Sequence, residues 1–181
     1  MAMRQAGRQR GVTLVEQIMV IAILGVLAAI AMPPLARMLQ RNRVQVAQAD
    51  FIAALQHARG VAITAGKSTL LCPSRDGAQC SGGTRWESGW LIGHDQDRNG
   101  QPDAGALRTQ PSYAGVTIIG DSGRPLVRFR ADGSAPGTTN TLRICARGHS
   151  EQALVVVISN SGRVRGASAN AAEAAKCASA Q

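Results

Sequence analysis

The feature that most constrains this chain lies near its start, where fifteen consecutive residues from Ile18 to Met32 are apolar or glycine. Leu14 and Val15 extend the stretch, and counted from Val12 to Leu35 it approaches the roughly 20 residues a helix needs to cross a bilayer. Arg4, Arg8 and Arg10 precede it, and Arg37, Arg41 and Arg43 follow it. One reading is an ordinary secretory signal cut after Ala29-Ile30-Ala31. Glu16 argues against that, because an acid at the front of an apolar helix is expensive in lipid and usually marks function. A single-pass anchor with an incidental acid is the blander alternative.

Arg10-Gly11-Val12-Thr13-Leu14-Val15-Glu16, followed by the apolar run, resembles the type IV prepilin signature. The resemblance implies that a prepilin peptidase cuts after Gly11, that Val12 becomes an N-methylated first residue, and that Glu16 is the fifth residue thereafter. Val12 departs from the Phe usual at that position, and Pro33 falls where the family bends its helix. The same resemblance implies an inner-membrane, single-pass subunit with a periplasmic head, later assembled with other pilin subunits in a pilus at the cell surface. A stacked arrangement gives the acid a partner, since the freed amine of a neighbouring subunit's first residue can neutralise Glu16.

On this reading residues 1–11 are a leader and 12–35 a transmembrane and filament-core helix. Residues 36–66 form an amphipathic continuation, and 67–181 form a β-rich head with a basic tail. Leu35, Leu39, Val46, Ala47, Phe51, Ala54, Leu55, Ala58 and Ala62 recur at three- and four-residue spacings, with Gly66 as a natural stop. Pro33 removes a backbone donor, so the helix is expected to be long and kinked. Beyond Gly66 the grammar changes to short β-prone runs at 68–72, 89–93, 116–119, 126–129, 141–146 and 153–158, separated by Gly, Pro, Asn and Asp. A short helical pattern returns near 170–176. The expected fold is therefore α+β, a pilin fold in which the helix packs against one antiparallel sheet.

All four cysteines (Cys72, Cys80, Cys145 and Cys177) fall in the head, with no C-x-x-C pair and only three histidines, which makes zinc improbable. Outside the cytoplasm an even count reads as two disulfides, and three pairings are possible. The turn-rich segment between Cys72 and Cys80 can close on itself, which leaves Cys145 for Cys177.

Asp95-Gln96-Asp97-Arg98-Asn99-Gly100-Gln101-Pro102-Asp103 looks like half of a calcium loop, with Asp95, Asp97, Asn99 and Asp103 as weak candidate ligands. Ala106 stands where the bidentate Glu belongs and Arg98 adds the wrong charge, so a polar turn is expected and no resident cofactor. Trp86 and Trp90 are expected in the core, a base-stacking platform being the alternative. Trp86-x-x-Gly89-Trp90, the Asp/Asn/Gly turn, Leu107 and Phe129-Arg130-Ala131-Asp132-Gly133 resemble the head of the GspH/FimT group of minor pilins.

Charge is uneven. The net charge is +9, and residues 121–181 carry eight bases against four acids. Within that third lies Ser161-Gly162-Arg163-Val164-Arg165-Gly166. In extended backbone the two arginines project to one side, and paired guanidinium groups suit phosphate. The segment also resembles the GRxR motif of FimT-type minor pilins, which implies capture of double-stranded DNA in natural transformation. Gly162, Arg163 and Arg165 are the expected contacts, widened by Arg143, Arg147 and Lys176. A basic, charge-protected edge strand is the bland reading. A structural pseudopilin of a type II secretion system, or a pilus-priming subunit, is the competing function. His57, His94 and His149 have no nucleophile arrangement around them, and no P-loop or GxSxG motif occurs, so no enzyme is expected.

Overall fold

The computed structural model describes residues 13–180. The expected leader, residues 1–11, and Val12 lie outside the described residues, so the expected cleavage at Gly11 does too. The first element, α1, is a helix of 52 residues, Leu14–Ala65. Thr13 opens it, its hydroxyl accepting from the Glu16 amide at 3.3 Å, and Glu16 stands in the first turn, where a carboxylate complements the helix N-terminus.

The chain divides into two compact units at Leu39–Gln40. In the first, the helix is apolar on every side: Leu14 is 78% exposed, Ile21 67% and Ile30 69%. Among the described residues this is the one helix long and apolar enough to cross a membrane.

The second unit, from Gln40 onward, contains every buried core residue, Val44 through Cys177. The α1 residues Val44, Ala47, Phe51, Ala54, Leu55, Ala58 and Ala62 form its buried stripe. Val44 takes the place the spacing gave to Val46, which stays half exposed. Eight strands follow: β1 (Thr69–Pro73), β2 (Trp90–His94), β3 (Arg108–Gln110), β4 (Val116–Ile119), β5 (Val127–Phe129), β6 (Asn140–Ala146), β7 (His149–Ile158) and β8 (Val164–Ser168). A short helix, α2 (Ala171–Ala178), closes the chain behind an Asn170–Glu173 capping box.

Two four-stranded antiparallel sheets form where one was expected, in the orders β3-β2-β1-β5 and β4-β6-β7-β8. Both line a shared core around Phe51, whose ring meets Trp86 edge-on at 5.9 Å and Tyr113 at 5.6 Å. Trp86 and Trp90 are fully buried, and Trp90 Nε1 donates to the Tyr113 hydroxyl at 2.9 Å, so neither indole is a stacking platform. The disulfides are Cys72–Cys80 and Cys145–Cys177, the second stapling α2 onto the second sheet.

Candidate nucleic-acid interface

Residues 159–163 join β7 to β8. Gly162 N donates to Ser159 O at 2.9 Å, Ser159 N to Arg163 O at 3.1 Å, and Gly162 takes φ +75°. A turn closed by a left-handed residue is the usual geometry of such a hairpin, and glycine adopts it without steric cost. The Ser159 hydroxyl meets Ser161 Oγ at 2.9 Å and accepts from the Arg163 amide at 3.2 Å.

Alternation then divides the Gly-Arg-Val-Arg-Gly segment between two faces. Val164 packs against the core, and the even-numbered glycines face the same way. A Cβ on Gly166 would meet Ile52 at 2.8 Å and Gln48 at 3.0 Å, and one on Gly162 would lie 1.9 Å from the Gly133 carbonyl oxygen. These glycines let the edge strand lie close against α1 and against the 130–135 loop. Gly162 is buried, so its work is packing and it offers no surface to a ligand. Arg163 and Arg165 point the other way. Both are exposed and line a shallow hollow of about 290 Å³ with Val157, Ser159 and Ser161. Among the described residues neither has an ion-pair partner.

Two helix residues that sequence reasoning missed hold this hairpin. Gln48 Nε2 donates to Val155 O at 2.8 Å and to Ala167 O at 3.1 Å, tying β7 and β8 at facing register positions. Arg59 Nε donates to Gly133 O at 3.0 Å, the same carbonyl that Gly162 packs on. Periodicity singled out neither, because their partners lie 107 and 74 residues away.

The three auxiliary bases do not join the pair. Arg143 shares the outer face of the sheet but is 6% exposed, and its Nη1 donates to Asp121 at 2.9 Å and to Thr141 O at 3.0 Å. A guanidinium already buried against a carboxylate has no free face for phosphate, so Arg143 is structural. Arg147 is exposed in the β6–β7 turn, at the opposite end of the ten-residue β7 from Arg163 and so roughly 30 Å away. Lys176 is exposed on α2, whose Cys177 is bonded to Cys145 and packs with Ala153. Ala153 is four residues along β7 from Val157, the partner of Arg165.

At the acidic turn, oxygens of Asp95, Asp97 and Asp103 come within 4.8 Å of one another. Asp95 is fully buried and already neutralised by Arg128, whose Nε lies 2.7 Å away. The Asn99 amide donates to Asp97 at 2.7 Å, and Asp103 accepts from the Gln96 amide at 2.9 Å. Those bonds describe a self-satisfied polar turn, with Asn99 spent inside it.

A family model for the type II transport protein GspH matches residues 47–162. The chain belongs to the GspH family. A model for the prokaryotic N-terminal methylation motif matches residues 6–32, which include Gly11, Val12 and Glu16. Among solved structures, the type IV minor pilin FimU of Pseudomonas aeruginosa is 27% identical with a TM-score of 0.58, over 70% of this chain and 89% of that one. The minor pseudopilin EpsH of the Vibrio cholerae type 2 secretion system shares the fold, with a TM-score of 0.52 at 14% identity, over 70% of this chain and 97% of that one. No curated protein matches the chain. The GspH-family fold is thus that of minor pilins and pseudopilins, with a long N-terminal helix and two antiparallel sheets.

Proposed function

We propose that this GspH-family chain is a minor type IV pilin whose head binds double-stranded DNA, without sequence preference, for uptake in natural transformation. The observation that carries the reading is the outward, unpaired projection of Arg163 and Arg165 from the β7–β8 hairpin. Each guanidinium can fork onto phosphate oxygens, and phosphate contacts carry no base information. Binding by one head is then weak and salt-dependent, and several heads in one filament raise it by avidity.

The rest of the chain serves delivery. The methylation-motif match over residues 6–32 supports cleavage after Gly11 by prepilin peptidase and N-methylation of Val12. The exposed apolar helix supports anchoring in the inner membrane with a periplasmic head, then assembly with other pilin subunits, where Glu16 meets a neighbour's new N-terminus. The chain acts as a binding and structural subunit and performs no chemistry of its own.

A second reading is a structural pseudopilin of a type II secretion system, or a pilus-priming subunit, with no DNA contact. The GspH family match and the EpsH-like fold favour it. The two separate in the native host carrying Arg163→Gln/Arg165→Gln. The DNA reading expects transformation to fall at least tenfold with pilus number and protein secretion unchanged. Loss of piliation or secretion with normal transformation per pilus would favour the structural reading.

A further inference from the structure

The 130–135 loop, on which the hairpin packs, also lines an open cleft of about 510 Å³. The segment just after α1 contributes Lys67, the acidic turn contributes Arg98, and the segment after β5 contributes Arg130 and Asp132, with Arg128 of β5 also in the lining. Lys67, Arg98 and Arg130 are exposed, and among the described residues none has an ion-pair partner. Arg128 is spent on the buried Asp95. Asp132 is the remaining acid, its carboxyl held below the ordinary range by the Ser134 hydroxyl and amide and, more weakly, by Arg130. The cleft is therefore positive overall.

One contact ties it to the hairpin. Gly162 packs on the Gly133 carbonyl, so Arg163 and the cleft-wall residue Asp132 each lie one residue from that contact. Their Cα atoms are at most about 13 Å apart, given 3.8 Å per residue step. A duplex carries a phosphate charge about every 1.7 Å of axis, so that length presents about eight of them. In addition, Arg98 holds φ +61°, a conformation that costs an ordinary side chain and that glycine adopts freely.

We propose that Lys67, Arg98 and Arg130 form a second phosphate-contact patch, so that one DNA duplex lies across the 130–135 loop and touches the hairpin and the cleft together. The proposal rests on the DNA-binding reading of Arg163 and Arg165 and extends its footprint from two bases to five. Asp132, at the crossing point, opposes the ligand.

The test is the salt dependence of binding between the full chain in zwitterionic detergent micelles and a fluorescent 30-base-pair duplex. Each neutralised phosphate adds about 0.9 to the slope of log K against log salt. The unmodified chain is expected near −4.5, the cleft variant Lys67→Gln/Arg98→Gly/Arg130→Gln near −1.8, and the hairpin variant Arg163→Gln/Arg165→Gln near −2.7. Between about 50 and 200 mM salt the first loses about 500-fold in affinity and the cleft variant about 12-fold. Arg98→Gly alone relaxes the backbone, so a loss of slope in that variant at undiminished thermal stability reports charge and not folding. Asp132→Asn keeps the acceptor for Ser134 and is expected to tighten binding severalfold. An unchanged slope in the cleft variant overturns the second patch and leaves the hairpin reading standing. Full binding by the hairpin variant with loss in the cleft variant keeps the cleft and removes the hairpin reading. No binding by the unmodified chain removes both.

Discussion

At the scale of single residues, the site depends on which face of the edge strand each side chain takes. The outward pairing of Arg163 and Arg165 was legible from an i, i+2 spacing alone, because strand alternation permits little else. The role of Gly162 was not, since the Gly133 carbonyl it packs against is distant in sequence. Gly162→Ala forces a side chain into a left-handed conformation and against that backbone oxygen, and should cost at least about 2 kcal/mol in a denaturation series. Arg143 was misread for a similar reason: its partner Asp121 lies 22 residues away. Arg143→Gln is expected to lower stability by about 2 kcal/mol, less than a fully buried pair because Asp121 is 38% exposed, and to leave the salt slope of DNA binding unchanged. Tyr113, the one tyrosine in the chain, reports the core directly. Burial pushes its phenol up to about 12 despite the bond from Trp90. Its native form is favoured at every pH below the unfolded value of about 10, and that stability is lost as pH rises from there through about 12. Ultraviolet titration of the native protein should show no phenolate midpoint near 10, and Tyr113→Phe should flatten the alkaline loss.

At the scale of elements, hydrophobic runs found the strands that carry apolar residues and missed the rest. β3 is Arg-Thr-Gln, three residues with no inward apolar side chain, and its pairing with β2 is settled by backbone partners that no local pattern announces. The split into two sheets was likewise hidden, because spacing reveals strands and not which of them share an edge. The α2 staple was readable as an option among three pairings, and the structure selects it. Its consequence is energetic. Cys145–Cys177 spans 32 residues of sequence, including the whole hairpin, and Cys72–Cys80 spans 8. Loop entropy assigns about 3.7 kcal/mol to the longer closure and about 2.5 kcal/mol to the shorter. Cys145→Ser/Cys177→Ser should therefore lower the thermal midpoint more than Cys72→Ser/Cys80→Ser does. Because β8 is held from the opposite side by Gln48 of α1, against which Gly166 packs, DNA affinity at temperatures below unfolding should change little.

At the scale of the whole molecule, the division of labour was written in hydropathy. An all-round apolar helix segment precedes a unit whose helix is buried along one stripe only, and that change of pattern falls in the α1 sequence itself. Net charge suggested an anionic partner without telling which bases stay free on the surface. Folding removed Arg143 and Arg128 into ion pairs and sent Arg147 to the far end of the sheet, while bringing Lys67, Arg98 and Arg130 to one cleft. The proposed function places duplex-DNA binding on two arginines of the β7–β8 hairpin. Fluorescence-anisotropy titration of the full chain against Arg163→Gln/Arg165→Gln, at about 50 and about 200 mM salt, tests it most directly. Salt-sensitive binding by the unmodified chain is expected, with a tenfold or greater loss in the variant at low salt and matched thermal midpoints. Equal affinity of the two proteins, or no binding by either, would contradict it.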